Sequence, residues 1–281
     1  MSRKLRIGHS PDPDDAFMFY GLATGGVRIR DFEVVHILED IQSLNERAQR
    51  GDLEVTAISA HTYPFISNRY WILSCGASMG KGYGPILVCR GKVHSASLEI
   101  LSGKKIAIPG KMTTAYLLSR IYLEKTLEYV EIPFDQILSS VLKGKVDGGL
   151  LIHEGQLTYE KLGLQRVIDF GELWQRDTNL PLPLGLDVVR SDLGETLAEE
   201  IRDGLRKSIQ YAFDHEEEAL TYALSVRQTG MSLPQAKVFV RMYVNEYTLD
   251  MGEEGRRGLV ELFQRAVEKG IIPQIPELKI I

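Results

Sequence analysis

This sequence predicts an α/β fold of two similar lobes with a cleft between them, on three observations. Strand-like and helix-like segments alternate as far as position 189, the pattern of parallel sheets covered by helices. A unit of helix, Gly turn, apolar strand and abrupt polar residue occurs at 41–61 and again at 134–154. Two proline-bearing apolar strands, at 83–89 and 181–189, stand where the chain would cross between lobes.

The first strand, 5–9, reads Leu-Arg-Ile-Gly-His and enters the loop Ser10-Pro-Asp-Pro-Asp-Asp15. A helix is expected at 16–22, with Asp14 or Asp15 near its N-cap. A strand at 32–38 and a helix at 41–50 lead through Gly51 to the run at 55–58, which is short and apolar enough for a fully buried strand. Ser59 falls at its end. A helix start follows at 60–66, then a short strand at 71–74. After the crossover at 83–89 come a turn at 90–92, a helical turn at 98–101 and a strand at 104–109. Gly110-Lys-Met-Thr-Thr114 then opens an amphipathic helix over 115–123. The second unit has a strand at 127–132, a helix at 134–143 and a strand at 148–152, with His153 at its end. A short helix at 156–162 and a strand at 167–169 precede the second crossover.

The remainder reads as helices at 197–215, 217–225, 233–247 and 253–269. The last is bounded by Asp250 and Glu253 in capping-box spacing, with Gly270 and Pro273 beyond. A large lobe of 1–88 plus 185–281 and a small lobe of 89–184 follow from the two crossovers. Such an arrangement resembles the two-lobed type II periplasmic-binding-protein-like fold, in which two crossover strands flank the cleft.

Composition narrows the function classes. The chain has 281 residues, 44% hydrophobic and 25% charged, with a net charge of -5. That balance carries no basic stripe for nucleic acid, and Arg3-Lys4-Leu5-Arg6 reads as a solvated lead-in to the first strand. Cys75 and Cys89 lie in apolar surroundings without metal-type spacing and are expected as buried free thiols. No window of apolar residues is long enough to span a membrane. The N-terminus has charge but no apolar core of a secretory signal, so a cytoplasmic location is expected. There is no GxGxxG, P-loop or EF-hand spacing, so neither a cofactor nor a metal is expected. The expected partner is a small carboxylate; oligomeric state is not legible.

Ligands of open α/β sheets collect beyond the carboxyl ends of strands, which makes Ser59 and His153 candidate site residues. A histidine titrates near neutral pH and serves as a general base where it faces a cleft; a strand-end histidine can also merely satisfy backbone groups. His9 and His61 stand at comparable places and could assist His153 or cap loops, whereas His36, His94 and His215 have structural or solvent-facing contexts. Lys111, Thr113 and Thr114 sit between a strand and a helix, where free N–H groups and hydroxyls make an anion site. Plain N-capping by Thr113 is compatible with that role. Ser10 and Asp14 belong to a proline-stiffened loop rich in acceptors, suited to hydroxyls or to a capped turn.

Five segments in order, Ser10-Pro-Asp-Pro-Asp-Asp-Ala-Phe-Met-Phe, Ser59-Ala-His-Thr-Tyr-Pro, Gly82-Tyr-Gly-Pro, Pro109-Gly-Lys-Met-Thr-Thr-Ala and Ile152-His-Glu-Gly-Gln, resemble the 1,4-dihydroxy-6-naphthoate synthase family of the futalosine route to menaquinone. The resemblance runs over nearly the whole chain. It implies a cofactor-free carbon–carbon lyase that converts cyclic dehypoxanthine futalosine to 1,4-dihydroxy-6-naphthoate. It also implies His153 as general base, with Ser59, Thr113 and Thr114 on substrate hydroxyls or carboxylate. Other readings are a small-carboxylate-binding protein without catalysis, a chorismate dehydratase of the same pathway, and an effector-binding domain.

Overall fold

A computed structural model describes residues 3–91, 101–123 and 127–281. The chain begins with β1 (Arg3–His9), α1 (Pro13–Met18), α2 (Tyr20–Ala23), β2 (Phe32–Leu38), α3 (Ile41–Arg50) and β3 (Val55–Ser59). A 3-10 helix at Ala60–Phe65 and two short strands, β4 (Tyr70–Ile72) and β5 (Ser78–Gly80), follow. Next come β6 (Ile86–Arg90), β7 (Lys105–Ile108), α4 (Thr114–Tyr122), β8 (Glu128–Glu131), α5 (Phe134–Leu142), β9 (Gly148–Leu151) and β10 (Leu164–Asp169). The last part holds α6 (Phe170–Thr178), β11 (Leu182–Arg190), α7 (Glu195–Asp214), α8 (Glu216–Val226), α9 (Leu233–Tyr243), α10 (Glu246–Leu249) and α11 (Gly252–Glu268).

The strands form two sheets. One has the order β2-β1-β3-β11-β4, with β5 also on β11; the other runs β10-β6-β9-β7-β8. The two units seen in the sequence are equivalent in space. β1 lies parallel between β2 and β3, as β7 lies parallel between β8 and β9. β3 then meets β11, and β9 meets β6, antiparallel. The expectation of largely parallel sheets therefore holds for the βαβ units and not for the crossover strands. β6 and β11 arrive from the opposite sheet instead of over a covering helix, so they enter from the other end. β3 and β9 are buried at every position, as a strand covered on both faces must be.

β6 belongs whole to the second sheet and β11 to the first, so the chain changes sheets between Gly80 and Ile86 and between Asp169 and Leu182. The two connections touch. The Phe170 N–H donates to the Pro85 carbonyl at 3.0 Å, and a β-carbon on Gly171 would lie 1.8 Å from the Tyr83 carbonyl carbon. Glycine is required there for the backbones to cross.

Several expected elements take another form. The segment after Ser59 is 3-10 helix, with Pro64 inside it. The helix expected at 156–162 is two 3-10 turns, Glu154–Leu157 and Glu160–Leu162, divided before Tyr159. β10 is longer than expected, because antiparallel pairing with β6 carries it back to Leu164. The helix expected at 233–247 stops at Tyr243, and Asn245 starts α10. The Asn245 side-chain Oδ1 accepts the Tyr247 N–H while its Nδ2 donates to the Met79 carbonyl, so a tertiary contact breaks the helix. α1 begins earlier than expected, at Pro13, with Asp12 as its N-cap. Asp250 accepts the Gly252 N–H at 2.9 Å, and α11 starts there. Lys92, His94 and most of the helical turn expected at 98–101 lie outside the described residues.

Buried side chains of α7, Ile201, Leu205 and Ile209, pack with Leu5 and Ile7 of β1 and Phe17 of α1. The C-terminal helices thus close one face of the first sheet and hold the loop after β1 from behind. No helix among the described residues is long and apolar enough to cross a membrane.

Candidate functional site

A cleft of about 720 Å³, including its open mouth, joins most of the residues selected from the sequence. It lies where strands of both sheets end. The loop after β1 supplies Ser10 and Asp12, the first turn of α1 supplies Asp14 and Asp15, and the end of β3 supplies Ser59. From across the gap come Thr113, Thr114 and Ala115 at the start of α4, and Ile152 after β9. Leu184 to Leu186 of β11 and Tyr243 of α9 complete the wall.

Ser59 is held by Asn45. The Ser59 N–H donates to Asn45 Oδ1 at 2.8 Å, and Asn45 Nδ2 donates to Ser59 Oγ at 3.1 Å. With its oxygen so engaged, the Ser59 hydroxyl keeps its proton to donate into the cleft. Ser10 offers its N–H to Asp15 Oδ2 at 2.7 Å and its Oγ accepts the Asp12 N–H at 3.0 Å.

The Thr113 hydroxyl is spent on capping. It donates to the Gly110 carbonyl at 2.7 Å and accepts the Tyr116 N–H at 3.3 Å. Thr114 Oγ1 donates to the Leu184 carbonyl at 2.7 Å, tying α4 to β11. What remains for a ligand is the helix end itself, where the first-turn N–H groups of Thr114 and Ala115 lack intrahelical partners and carry positive dipole. Lys111 does not line the cleft; its ammonium is largely exposed and pairs with Glu131 at 3.0 Å.

The acids of the cleft are held toward the neutral form. Burial, with Asp15 and Asp12 nearby, raises Asp14 well above the usual carboxylate range. Burial and the charge of Asp187 do the same to Asp15. Asp187, on β11 opposite Ala57, is pushed up to about 8 by burial alone, and neither carboxyl oxygen has a hydrogen-bond partner. A shift toward the neutral form lessens the repulsion that Asp14 and Asp15 would impose on an anionic ligand in the cleft.

His153 is buried beside the cleft and does not line it; the preceding residue, Ile152, does. Its Nε2–H donates to the Phe134 carbonyl at 2.8 Å, which leaves Nδ1 to accept the Gly155 N–H at 3.0 Å. Glu154 Oε2 lies 3.4 Å from Nδ1. Burial disfavours the charged ring, but the hydrogen bond and charge of Glu154, the charge of Asp12 and the Phe134 carbonyl outweigh it. His153 therefore titrates above the ordinary histidine value.

The other histidines stand apart from the cleft. His9 stacks on Phe19 at 4.2 Å, and its Nδ1–H donates to the Ser10 carbonyl while Nε2 accepts from His36. Burial, then the neighbouring His36, lowers it to about 3. His61 is buried among Phe65 and Tyr116 with no hydrogen bond to either ring nitrogen, and burial lowers it to about 4. Both rings are neutral at ordinary pH. Among the described residues no cluster of His, Cys, Asp and Glu is placed to hold a metal ion.

Asn45, Asp187, Arg227 and Tyr243 were not selected from the sequence. Asn45 had a signal, a polar residue between Leu44 and Ala48 on the buried side of its helix, and so did Asp187, a lone acid in an apolar strand. Arg227 and Tyr243 had none, since both reach the site from helices far along the chain.

A family model described as menaquinone biosynthesis matches residues 5–268. The chain belongs to this family of menaquinone-biosynthesis enzymes. A relative from Thermus thermophilus named 1,4-dihydroxy-6-naphthoate synthase is 40% identical over 274 residues, 97% of this chain and 97% of that one. A relative of the same name from Streptomyces coelicolor is 35% identical over 277 residues, 96% of this chain and 95% of its own. Among solved structures, a protein from Archaeoglobus fulgidus superposes with a TM-score of 0.90 at 45% identity, over 96% of this chain and 98% of that chain. The alkanesulfonate-binding protein of Xanthomonas axonopodis, bound to MOPS, has a TM-score of 0.73 at 10% identity, covering 99% and 98% of the two chains. A Candida albicans protein described as having the generic periplasmic binding protein fold has a TM-score of 0.68 at 12% identity, covering 98% of each chain. This menaquinone-biosynthesis enzyme therefore has the two-sheet periplasmic-binding-protein-like fold expected from its sequence.

Proposed function

We propose that this enzyme converts cyclic dehypoxanthine futalosine to 1,4-dihydroxy-6-naphthoate as a carbon–carbon lyase, using acid–base groups of the chain and no cofactor. The identity of 40% and 35% over nearly the full length of the two synthases supports the reaction. The observation that carries the substrate class is the pairing, across one cleft, of the α4 N-terminus with the Asn45-held Ser59 hydroxyl. A carboxylate suits the helix end, and hydroxyls suit Ser59, Ser10 and the Asp14 carboxyl, which burial holds toward its neutral form. A soluble small carboxylate and a cytoplasmic setting accompany this reading.

His153 is the base in this proposal. Its Nδ1 gives up the Gly155 N–H and, in a substrate-bound state that opens the ring to the cleft, takes a substrate proton. That removal starts the carbon–carbon cleavage that releases the sugar-derived fragment, with aromatisation of the bicycle as driving force. Positioned acid–base groups of this kind contribute about 10²–10⁴-fold. Two lobes, 1–88 with 185–281 and 89–184, hold the substrate between them, exclude water and fix its orientation.

Anaerobic incubation of the purified protein with cyclic dehypoxanthine futalosine, read by mass and absorbance, tests the reaction. His153→Ala is expected to abolish turnover nearly completely while the substrate Kd stays within roughly tenfold of wild type. Wild-type kcat in that variant would show that the base is a residue other than His153. Binding without product would return the protein to the carboxylate-binding class.

A further inference from the structure

We propose that Arg227 is a positioning residue whose guanidinium bridges the two halves of the cleft and holds the Glu154 carboxylate against His153. The inference rests on the reading of His153 as base.

Arg227 ends α8, on the first-sheet side. Its Nη1 pairs with Asp12, in the loop after β1, and its Nη2 lies 3.4 Å from Glu154 Oε1, in the turn after β9. Its Cζ stands 4.7 Å from the ring centroid of Phe134, the first residue of α5. One side chain therefore contacts the first-sheet loop and two second-sheet elements together. A planar guanidinium with a rigid fork can do this; an ammonium on a flexible stem can satisfy only one partner well.

The two residues that Arg227 touches on the second side are the two that dress His153. Phe134 accepts the His153 Nε2–H through its carbonyl, and its ring meets the imidazole edge-on at 5.2 Å. Glu154 has Oε1 toward Arg227 and Oε2 toward Nδ1, and Oε2 is buried without a hydrogen-bond partner. That orphaned oxygen has a use once the ring is charged. Neutral His153 accepts the Gly155 N–H at Nδ1; after Nδ1 has taken the substrate proton it becomes a donor and needs an acceptor. Glu154 Oε2 is that acceptor, and Arg227 keeps it ionised and facing inward. Charged groups facing His153 are Glu154 from its own turn and Asp12 from the opposite loop, with Arg227 paired to both.

The test compares Glu154→Gln, Arg227→Met, Arg227→Lys and the double variant Arg227→Met/Glu154→Gln with wild type. The readouts are the acid limb of kcat against pH and the His153 titration followed by NMR of its imidazole Cε1–H. Glu154→Gln is expected to lower the His153 midpoint by about one pH unit. Arg227→Met should lower it by a similar amount, and the double variant should go no further, since both remove one contact. Arg227→Lys should fall between. An upward move in Arg227→Met, which loss of a nearby cation would cause by itself, overturns the proposal, as does full additivity in the double variant. If His153→Ala keeps its turnover, the base assignment fails while the NMR midpoint still decides the role of Arg227. Should Arg227→Met not fold, an Arg227→Lys midpoint equal to wild type overturns it.

Discussion

The Asp187 carboxyl rests against the α-carbon of Gly76, so closely that a β-carbon there would meet Oδ2 at 2.1 Å. Gly76 lines the cleft with φ at 80°, and the absence of a side chain is what admits the acid. Burial without a partner pushes Asp187 up to about 8. An acid whose folded pKa stands above its unfolded value binds its proton more tightly when folded. Its stabilisation is complete below the unfolded value of 3.8 and is lost as pH rises through about 8. Asp187→Asn should match wild type in stability near the unfolded value. It should then gain on wild type with rising pH, by at most about 1.4 kcal/mol per unit. Urea midpoints across that range decide it; a constant difference would show that Asp187 ionises normally.

Gly171→Ala should destabilise by about 2–3 kcal/mol or more. The added carbon would sit within 2.1 Å of the Tyr83 carbonyl oxygen, and backbone on both crossovers has no room to give. A thermal midpoint equal to wild type would mean that the connections are not in contact in solution.

Thr114→Val keeps the shape and removes the hydroxyl that joins α4 to Leu184. An unsatisfied carbonyl costs about 1–3 kcal/mol, and the helix end loses its anchor to the opposite wall. The expected outcome is a lower melting temperature and a raised KM, with Thr114→Ser close to wild type. Equal KM in the Val variant would place the ligand away from α4.

Asn45→Ala should raise KM on the order of tenfold with kcat changed less, since Ser59 loses both the acceptor of its N–H and the donor to its hydroxyl. Steady-state kinetics with the melting temperature as control separate this from unfolding. A fall in kcat at constant KM would assign Ser59 to the transition state instead of to binding.

Local pattern was enough to place Ser59 and the α4 N-terminus at one cleft. Strand ends follow from apolar run length, and the repeated helix–Gly–strand unit brings equivalent ends to equivalent places in both sheets. It was not enough for Lys111, whose ammonium turns to Glu131, or for the Thr113 hydroxyl, which its own helix consumes. Proximity in sequence places a side chain near a site without saying which partner it finds.

The sequence by itself determined the α/β class, the two βαβ units and the family, because these depend on periodicity, turn chemistry and ordered motifs along the chain. Only the tertiary structure decided that His9 and His61 are buried and neutral, that Asn45 holds Ser59, and that Asp187 lies under Gly76. It also brought Arg227 to Asp12, 215 positions away, and so to Glu154 and His153. Ionisation and hydrogen bonding depend on what surrounds a group in space, and those surroundings here come from elements that share no stretch of chain.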